Sequence, residues 1–322
     1  MVIENAEIIR AASVLGSGIA MGFGAIGAGL GEGYAAHMAC GSISRQPAKA
    51  GEIVKMMLIG QAVAESASIF ALVVSILLLF VDFSGGSLNS VAGLVGAGIA
   101  MGFGALGGGI GCGFPAGSAC NGIARYPRCQ NKIMTLMLIT QGVSQTPSIF
   151  ALVVAFLLLF KEAPVVDIVT MGALLGAGMS IGFGSIGPGI GSGQAGGHAC
   201  DAISKWPKTY GEVFKVTILG QAVSQSPSIF ALLISLILLF MVEGGSSIAK
   251  ASAMVGAGIC IGMGGFGSGV GGGYAAGMGA SGVAYNVKAS VAIVRTMLLG
   301  IAVAQSVAIF SLVVAFMLVF LS

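Results

Sequence analysis

The segment Gln61-Ala-Val-Ala-Glu-Ser-Ala-Ser-Ile-Phe70 lies in a long apolar run and contains a single carboxylate, Glu65. Near-copies of it follow at steps of 80 residues, each with glutamine at the Glu65 position: Gln145, Gln225 and Gln305. A charged carboxylate is costly to hold in hydrocarbon, so an acidic residue there marks a functional site by default. The pattern indicates that ion handling resides in one copy of four.

The repeat runs through the whole sequence without insertion or deletion. A glycine-rich run opens at Gly16 and again at Gly96, Gly176 and Gly256. A constant period of this length is typical of a tandem array of one structural unit. The sequence therefore predicts four equivalent units.

Each unit contains two apolar stretches separated by a polar loop, for example residues 8–43 and 52–81 in the first. At 1.5 Å per helical residue, either stretch exceeds the roughly 30 Å thickness of the hydrocarbon layer. We expect an all-α membrane protein with eight transmembrane helices in four tandem helical hairpins. The hairpins are predicted at residues 1–84, 85–164, 165–244 and 245–322.

The composition excludes a soluble globular protein. Hydrophobic residues make up 56% of the chain and charged residues 8%, and the mean hydropathy is +1.02. These values are typical of an integral membrane protein.

The net charge of the chain is +3, and the sequence contains no basic tract, so a nucleic-acid partner is not expected. Because each unit has an even number of spans, all four should point the same way, unlike the inverted repeats of many transporters.

The basic residues predict the orientation in the membrane. Eleven of the 14 Lys and Arg lie in or beside the loops within the hairpins. By the positive-inside rule these loops should be cytoplasmic, with the termini on the opposite side. The linkers between hairpins should share the opposite side, and they carry the acidic residues Asp82, Glu162, Asp167 and Glu243.

Glycine is concentrated in the first helix of each unit, as in the run from Gly22 to Gly33. Small residues let helix backbones approach closely in a membrane. We therefore expect the first helices to form a tightly packed inner circle. The bulkier second helices, such as residues 69–80, should lie outside and face lipid.

Three motifs of the first unit resemble one known family. Gly27-Ala-Gly-Leu-Gly-Glu-Gly-Tyr-Ala-Ala36, the loop Arg45-Gln-Pro47 and Gly60-Gln-Ala-Val-Ala-Glu-Ser66 are similar, in order and spacing, to the proteolipid c subunit of rotary ATP synthases, especially the sodium-translocating type. The resemblance covers the whole chain as four fused copies. It implies a non-catalytic subunit of a c-ring in the membrane, in a bacterial plasma membrane by our expectation.

The resemblance also implies the partners and the cargo. The ring would contain other c-type chains, of this sequence alone or mixed, embedded in lipid. It would turn against an a-type stator subunit with an essential arginine, and Arg45, Gln46 and Pro47 would contact the central rotor shaft. The transported ion would be Na⁺ or H⁺, and no organic cofactor is implied.

By the same resemblance, Glu65 is the carboxylate that binds the ion. The sodium ligands of the family correspond to Glu32, the carbonyl of Val63 and the hydroxyl of Ser66, the last two usually from an adjacent hairpin. Counted from the loop, Glu32 lies roughly 18 Å and Glu65 roughly 22 Å along their helices, so both should reach a similar depth. Two carboxylates in a dry pocket should share a proton or a cation. Phe70 stands where sodium-type sequences commonly have tyrosine, which leaves H⁺ against Na⁺ open.

The other three units lack both carboxylates, since Cys112, Ser192 and Gly272 occupy the Glu32 position. We expect that these units carry no ion on their own. Pro147 and Pro227 have no N–H, so the carbonyls four residues earlier lose their helical partner and could serve as ligands.

Two sets of neighbouring ligands remain open. Val143 and Thr146 of the second hairpin could complete the Glu32/Glu65 pocket within one chain. Alternatively, Val303 and Ser306 of a neighbouring chain could do so.

The functional prediction is a rotor subunit with a low ion-to-ATP ratio, which favours ATP-driven pumping over ATP synthesis. The alternative is a non-rotary pore built from the same hairpins, with Glu65 lining a channel. A pore should have polar residues along one continuous helix face, whereas the sequence places ionisable side chains at a single depth in the membrane. The rotor is therefore favoured.

Overall fold

The computed structural model describes residues 2–83, 85–161, 166–242 and 244–321, with side chains from residue 5 onward. Within these ranges the chain forms nine α-helices and no strand. The helices are α1 (Val2–Arg45), α2 (Ala50–Phe80), α3 (Asn89–Arg125), α4 (Gln130–Leu159), α5 (Ile168–Lys205), α6 (Tyr210–Ser224), α7 (Ser226–Phe240), α8 (Ile248–Tyr285) and α9 (Ser290–Phe320). Short 3-10 turns join the two halves of each hairpin at Pro47–Lys49, Pro127–Cys129, Pro207–Thr209 and Val287–Ala289.

The prediction of eight spans in four tandem hairpins is confirmed. In the described part of the chain, eight helical segments of 33 to 41 residues are long and apolar enough to cross a membrane. The sixth span, Pro207–Phe240, contains both α6 and α7, because the helix is interrupted at Gln225, two residues before Pro227. The protein is therefore an all-α integral membrane protein.

The predicted limits of the four units remain a prediction, since the helices do not fix a boundary inside a linker. Two acidic linker residues, Glu162 and Glu243, lie outside the described residues.

The helices form two layers. Each first helix packs beside the first helix of the next hairpin, so α1, α3, α5 and α8 make one continuous layer. The second helices pack on this layer and contact one another much less. The glycine-rich helices meet at backbone contact and so form the more closely packed layer, which we call the inner layer, with the second helices as the outer layer. The expected layers of slim and bulky helices are both present, and the bulky helices expose apolar side chains such as Leu72, Ile76 and Phe80.

Glycine is required where the inner helices meet. A Cβ atom at Gly102 would lie 2.7 Å from the carbonyl oxygen of Ile19, and one at Gly182 would lie 2.8 Å from that of Ile99. Real Cβ atoms essentially never come this close to backbone, so any side chain would push the helices apart. The corresponding Gly22 has nothing within 4 Å, because it lies on the edge of α1 that no hairpin of this chain covers.

Asp167 joins three hairpins at the linker end. Its backbone N–H donates to Asn89 Oδ1 (3.3 Å), and its Oδ1 accepts from the N–H of Gly245 (3.0 Å) and of Thr170 (2.7 Å). The last contact caps the N-terminus of α5. Burial alone would raise the pKa of Asp167, but the hydrogen bonds from the Thr170 hydroxyl and from backbone N–H groups lower it on balance.

The glycine contacts can be tested with a matched pair of substitutions. Alanine is a better helix former than glycine by about 1 kcal/mol, so Gly142→Ala, which meets nothing within 4 Å, should leave the melting temperature in detergent equal or higher. Gly102→Ala should lower it despite the same gain, because the inner helices must separate, at a cost of about 1–3 kcal/mol. Equal stabilisation by both substitutions would show that the inner helices are not in the close contact described.

Candidate ion site at the edge of the first hairpin

The two carboxylates of the first hairpin lie together on its uncovered edge. Glu32 is on α1 and Glu65 is on α2, and Gln61, four residues before Glu65, donates to the backbone carbonyl of Glu32 (3.0 Å). Glu65 is exposed and Glu32 is partly exposed. The structure therefore brings the two acidic candidates together, but at the margin of the chain rather than inside it.

Glutamines at the Glu65 position connect each hairpin to the preceding one. The side-chain amide of Gln145 donates to the carbonyl of Val63 across 2.6 Å. In the same way, Gln225 donates to the carbonyl of Val143, and Gln305 donates to that of Val223. Each of these bonds spans 82 residues, so the direction of pairing is the same in all three interfaces.

This direction of pairing shows where the Val143 carbonyl lies relative to the acidic pair. The Val63 side of α2 faces the second hairpin, whereas Glu65, two residues further on, points about 200° round the helix. The structure does not bring Val143 and Thr146 to the acidic pair, because the Val143 carbonyl faces Gln225 of the third hairpin. The in-chain alternative for the pocket therefore has no support from the described contacts.

The residues of the other alternative, Val303 and Ser306, lie at the opposite edge of the molecule. Val303 on α9 is 72% exposed, with no hairpin of this chain beside it. The hydroxyl of Ser306 donates to the Val303 carbonyl (2.7 Å), as that of Ser66 does to the Val63 carbonyl (2.7 Å). One edge of the chain thus presents carboxylates, and the opposite edge presents a carbonyl and a hydroxyl.

The proline prediction also has a structural counterpart. Pro147 and Pro227 supply no N–H to the carbonyls of Val143 and Val223. Those carbonyls accept side-chain amides from the next hairpin instead. At Val223 the hydroxyl of Ser226 donates as well, across 2.9 Å.

A second glutamine series was missed by the sequence analysis. Gln61 donates to the carbonyl of Glu32 (3.0 Å) and so ties α2 to α1 beside the acidic pair. Gln141 donates to the carbonyls of Cys112 (2.9 Å) in its own hairpin and Gly60 (2.9 Å) in the preceding one. Gln221 makes the corresponding pair of bonds. The available signal was the recurrence of glutamine four residues before the Glu65 position in three units of four, with Ile301 in the last.

The loop residues expected to contact a rotor shaft lie at the opposite end from the linkers. Arg45 and Pro47 are exposed and Gln46 is partly exposed. The guanidinium of Arg45 donates to Asn121 of the next hairpin across 2.8 Å. Arg125 repeats this contact with Asp201 at 2.6 Å. Arg45 is therefore also a link between hairpins.

Together these contacts define a class of protein: a tandem array of membrane hairpins in which amides close three interfaces and a carboxylate pair marks an open edge. Comparison with known families then identifies the family to which the chain belongs. The family model for the C subunit of ATP synthase matches residues 15–78, 95–158, 175–238 and 255–318. The chain belongs to this family, with four of its hairpins fused in tandem, and is a rotor ring subunit of ATP synthase.

Curated relatives match one hairpin's length at a time. The ATP synthase c subunit of Natranaerobius thermophilus is 48% identical over 80 residues, which cover 25% of this chain and 92% of the relative. That of Alkaliphilus oremlandii is 45% identical over 80 residues, 25% of this chain and 90% of the relative. That of Petrotoga mobilis is 44% identical over 71 residues, 22% of this chain and 74% of the relative. The family resemblance predicted from the motifs is confirmed.

The amide bonds across the hairpin interface predict a cost for losing them. Gln141→Leu removes two hydrogen bonds to carbonyls of different hairpins, so it should destabilise the folded chain in detergent by about 1–3 kcal/mol. Ile301→Leu is the matched control, because that position is already apolar. Equal melting temperatures for the two variants would contradict the assigned role of Gln141.

Proposed function

We propose that this rotor subunit transports one ion per four hairpins, Na⁺ or H⁺, on Glu65, and that its ring operates chiefly as an ATP-driven ion pump. The proposal rests on a contrast between the Glu65 carboxylate and the glutamines that occupy the same position in the other hairpins. Glu65 is a carboxylate without a hydrogen-bond partner for its side chain among the described residues, whereas Gln145, Gln225 and Gln305 are neutral amides bonded to a neighbouring hairpin.

Several copies of the chain side by side would complete the site. The edge with Glu65 and Glu32 would meet the edge with Val303 and Ser306 of the next copy, in the arrangement that Gln145 and Val63 have within one chain. Gly22 would meet the next copy in the same way as Gly102 meets Ile19. A head-to-tail interface of this kind closes into a ring when the rotation per copy permits. Single-hairpin subunits with similar edges could enter the same ring.

The ligand set suits a small hard cation. Two carboxylates, a backbone carbonyl and a hydroxyl are all oxygen ligands, which favour ions such as Na⁺ over soft metals. The second carboxylate, Glu32, can keep a proton and donate it in a hydrogen bond to Glu65. The same pair could carry H⁺ alone, and the Phe70 ring supplies no further hydroxyl.

The energetics favour pumping. Moving one elementary charge across the membrane is worth about 2.3 kcal/mol per 100 mV. A ring with one carboxylate per four hairpins moves few ions for each ATP, so a normal gradient yields little energy for ATP synthesis. The hydrolysis of one ATP can instead drive those few ions against a steep gradient.

The partners follow from family membership and remain part of the proposal. A stator subunit with an arginine would face Glu65 once in four hairpins, and the Arg45-Gln46-Pro47 loop would contact the central shaft. The concentration of Lys and Arg near the loops supports a cytoplasmic location for them, with the linkers on the opposite side of a bacterial plasma membrane. A pore lined by Glu65 is not favoured, because the equivalent groups of the other hairpins are held in hydrogen bonds.

The number of ions per ATP tests the proposal directly. In proteoliposomes containing the whole complex, the ratio should be about a quarter of that of a ring with the same number of hairpins and a carboxylate in each, since each charge is carried by one site. Glu65→Gln should reduce transport to background. A ratio equal to that of the fully carboxylated ring, or undiminished transport by Glu65→Gln, would contradict the proposed function.

A further inference from the structure

The amide nitrogen of Gln225 lies between oxygen atoms of two hairpins. It donates to the carbonyl of Val143 in the second hairpin and lies 3.5 Å from the hydroxyl oxygen of Ser192 on α5. Gln225 is only 8% exposed. Ser192 occupies the position that Glu32 has in the first hairpin. The nitrogen therefore sits among the groups that correspond to the ligands proposed around Glu65.

The same arrangement recurs in the preceding interface. The amide nitrogen of Gln145 donates to the Val63 carbonyl, and the Cys112 thiol on α3, at the Glu32 position, donates to the carbonyl of Gln141, four residues before Gln145. Gln145 is 5% exposed, and its Oε1 is buried with no hydrogen-bond partner among the described residues, as are those of Gln141, Gln194 and Gln221. A buried, unpartnered amide oxygen is unusual, because such groups are normally satisfied. The Oε1 atom of Gln145 lies where a glutamate at this position would have one of its two carboxylate oxygens.

An amide NH₂ group and a bound cation impose similar demands on their surroundings. The group carries two donors and a partial positive charge, so it attracts carbonyl and hydroxyl oxygens. A hard cation attracts the same oxygens but also needs a negative charge nearby. Exchanging the amide for a carboxylate would remove the donor and supply the charge, and it would leave the oxygen cage in place.

We propose that Gln225 is a fixed surrogate for a bound cation, and that the interface between the second and third hairpins is a latent site for a small monovalent cation such as Na⁺. Its ligands would be the Val143 carbonyl, the Ser192 hydroxyl and a carboxylate in place of the amide. This inference rests on the proposed function of Glu65. It explains how three interfaces of four stay closed whether or not ions are present, since each has its own amide bond.

The residue on the inner helix should set the selectivity of each latent site. Ser192 offers a hydroxyl oxygen, which is a ligand for a hard cation. Cys112 offers a thiol, which is a soft and weak ligand. Gly272, behind Gln305, offers no side chain at all. A carboxylate introduced at each position should therefore respond differently to sodium.

The test is carbodiimide labelling of the purified full-length chain, with the number and position of adducts read by mass spectrometry. Gln225→Glu should add a second labelled carboxyl to that of Glu65. Sodium at about ten times its dissociation constant should slow the labelling of this carboxyl about tenfold, because only the unoccupied site reacts. Gln305→Glu is the matched control. Sodium should protect its carboxyl less than that of Gln225→Glu, because both face a valine carbonyl but Gly272 supplies no oxygen where Ser192 supplies a hydroxyl.

Equal responses to sodium by the two variants, or an unlabelled carboxyl in folded Gln225→Glu, would overturn the inference. If Gln225→Glu does not fold, Gln145→Glu takes its place beside the Cys112 thiol, a poor ligand for a hard cation. Sodium should then protect the new carboxyl no more than that of Gln305→Glu, and stronger protection, or no labelling at all, overturns the inference. Glu65 is the internal reference in every sample. Failure of Glu65 itself to react would count against the proposed function, whereas reaction at Glu65 alone would count against the latent site only.

Discussion

The close backbone contact between glycine-rich helices is the constraint on which the rest of this structure depends. Where Gly102 meets the carbonyl of Ile19, and Gly182 meets that of Ile99, there is no room for a side chain. Lipid offers no hydrophobic force to hold apolar helices together, so packing of this kind must supply the association. It also fixes the spacing and the direction in which hairpins follow one another.

That spacing brings the outer helices into hydrogen-bonding range at one level. The amides of Gln145, Gln225 and Gln305 each reach a valine carbonyl of the preceding hairpin. An ionised Glu65 has no hydrogen to donate to such a carbonyl, and no hairpin of the described residues lies beside its edge of α2. The same geometry that closes three interfaces leaves the edge with Glu65 uncovered, and we propose that a neighbouring molecule completes an ion site there.

Much of this architecture could be predicted from the sequence, because it depends on length, period and side-chain size. The spans, the hairpins, the two layers and the prominence of Glu65 follow from local patterns. The direction of pairing could not be predicted, since a carbonyl such as that of Val143 can face either neighbour until the helices are placed. The bonds of Gln61, Gln141 and Gln221 were missed for a related reason: these glutamines recur every 80 residues, but the recurrence does not show which carbonyls they reach. Pro147 and Pro227 look alike in sequence, yet only the helix before Pro227 is interrupted.

The central claim is that the carboxylate site lies at the junction between two copies of the chain. An electron cryomicroscopy map of the assembled ring tests it most directly. The account predicts that Glu65 and Glu32 of each copy lie against Val303 and Ser306 of the adjacent copy, once in every four hairpins. A ring in which Glu65 packs against Val143 and Thr146 of its own chain would contradict it.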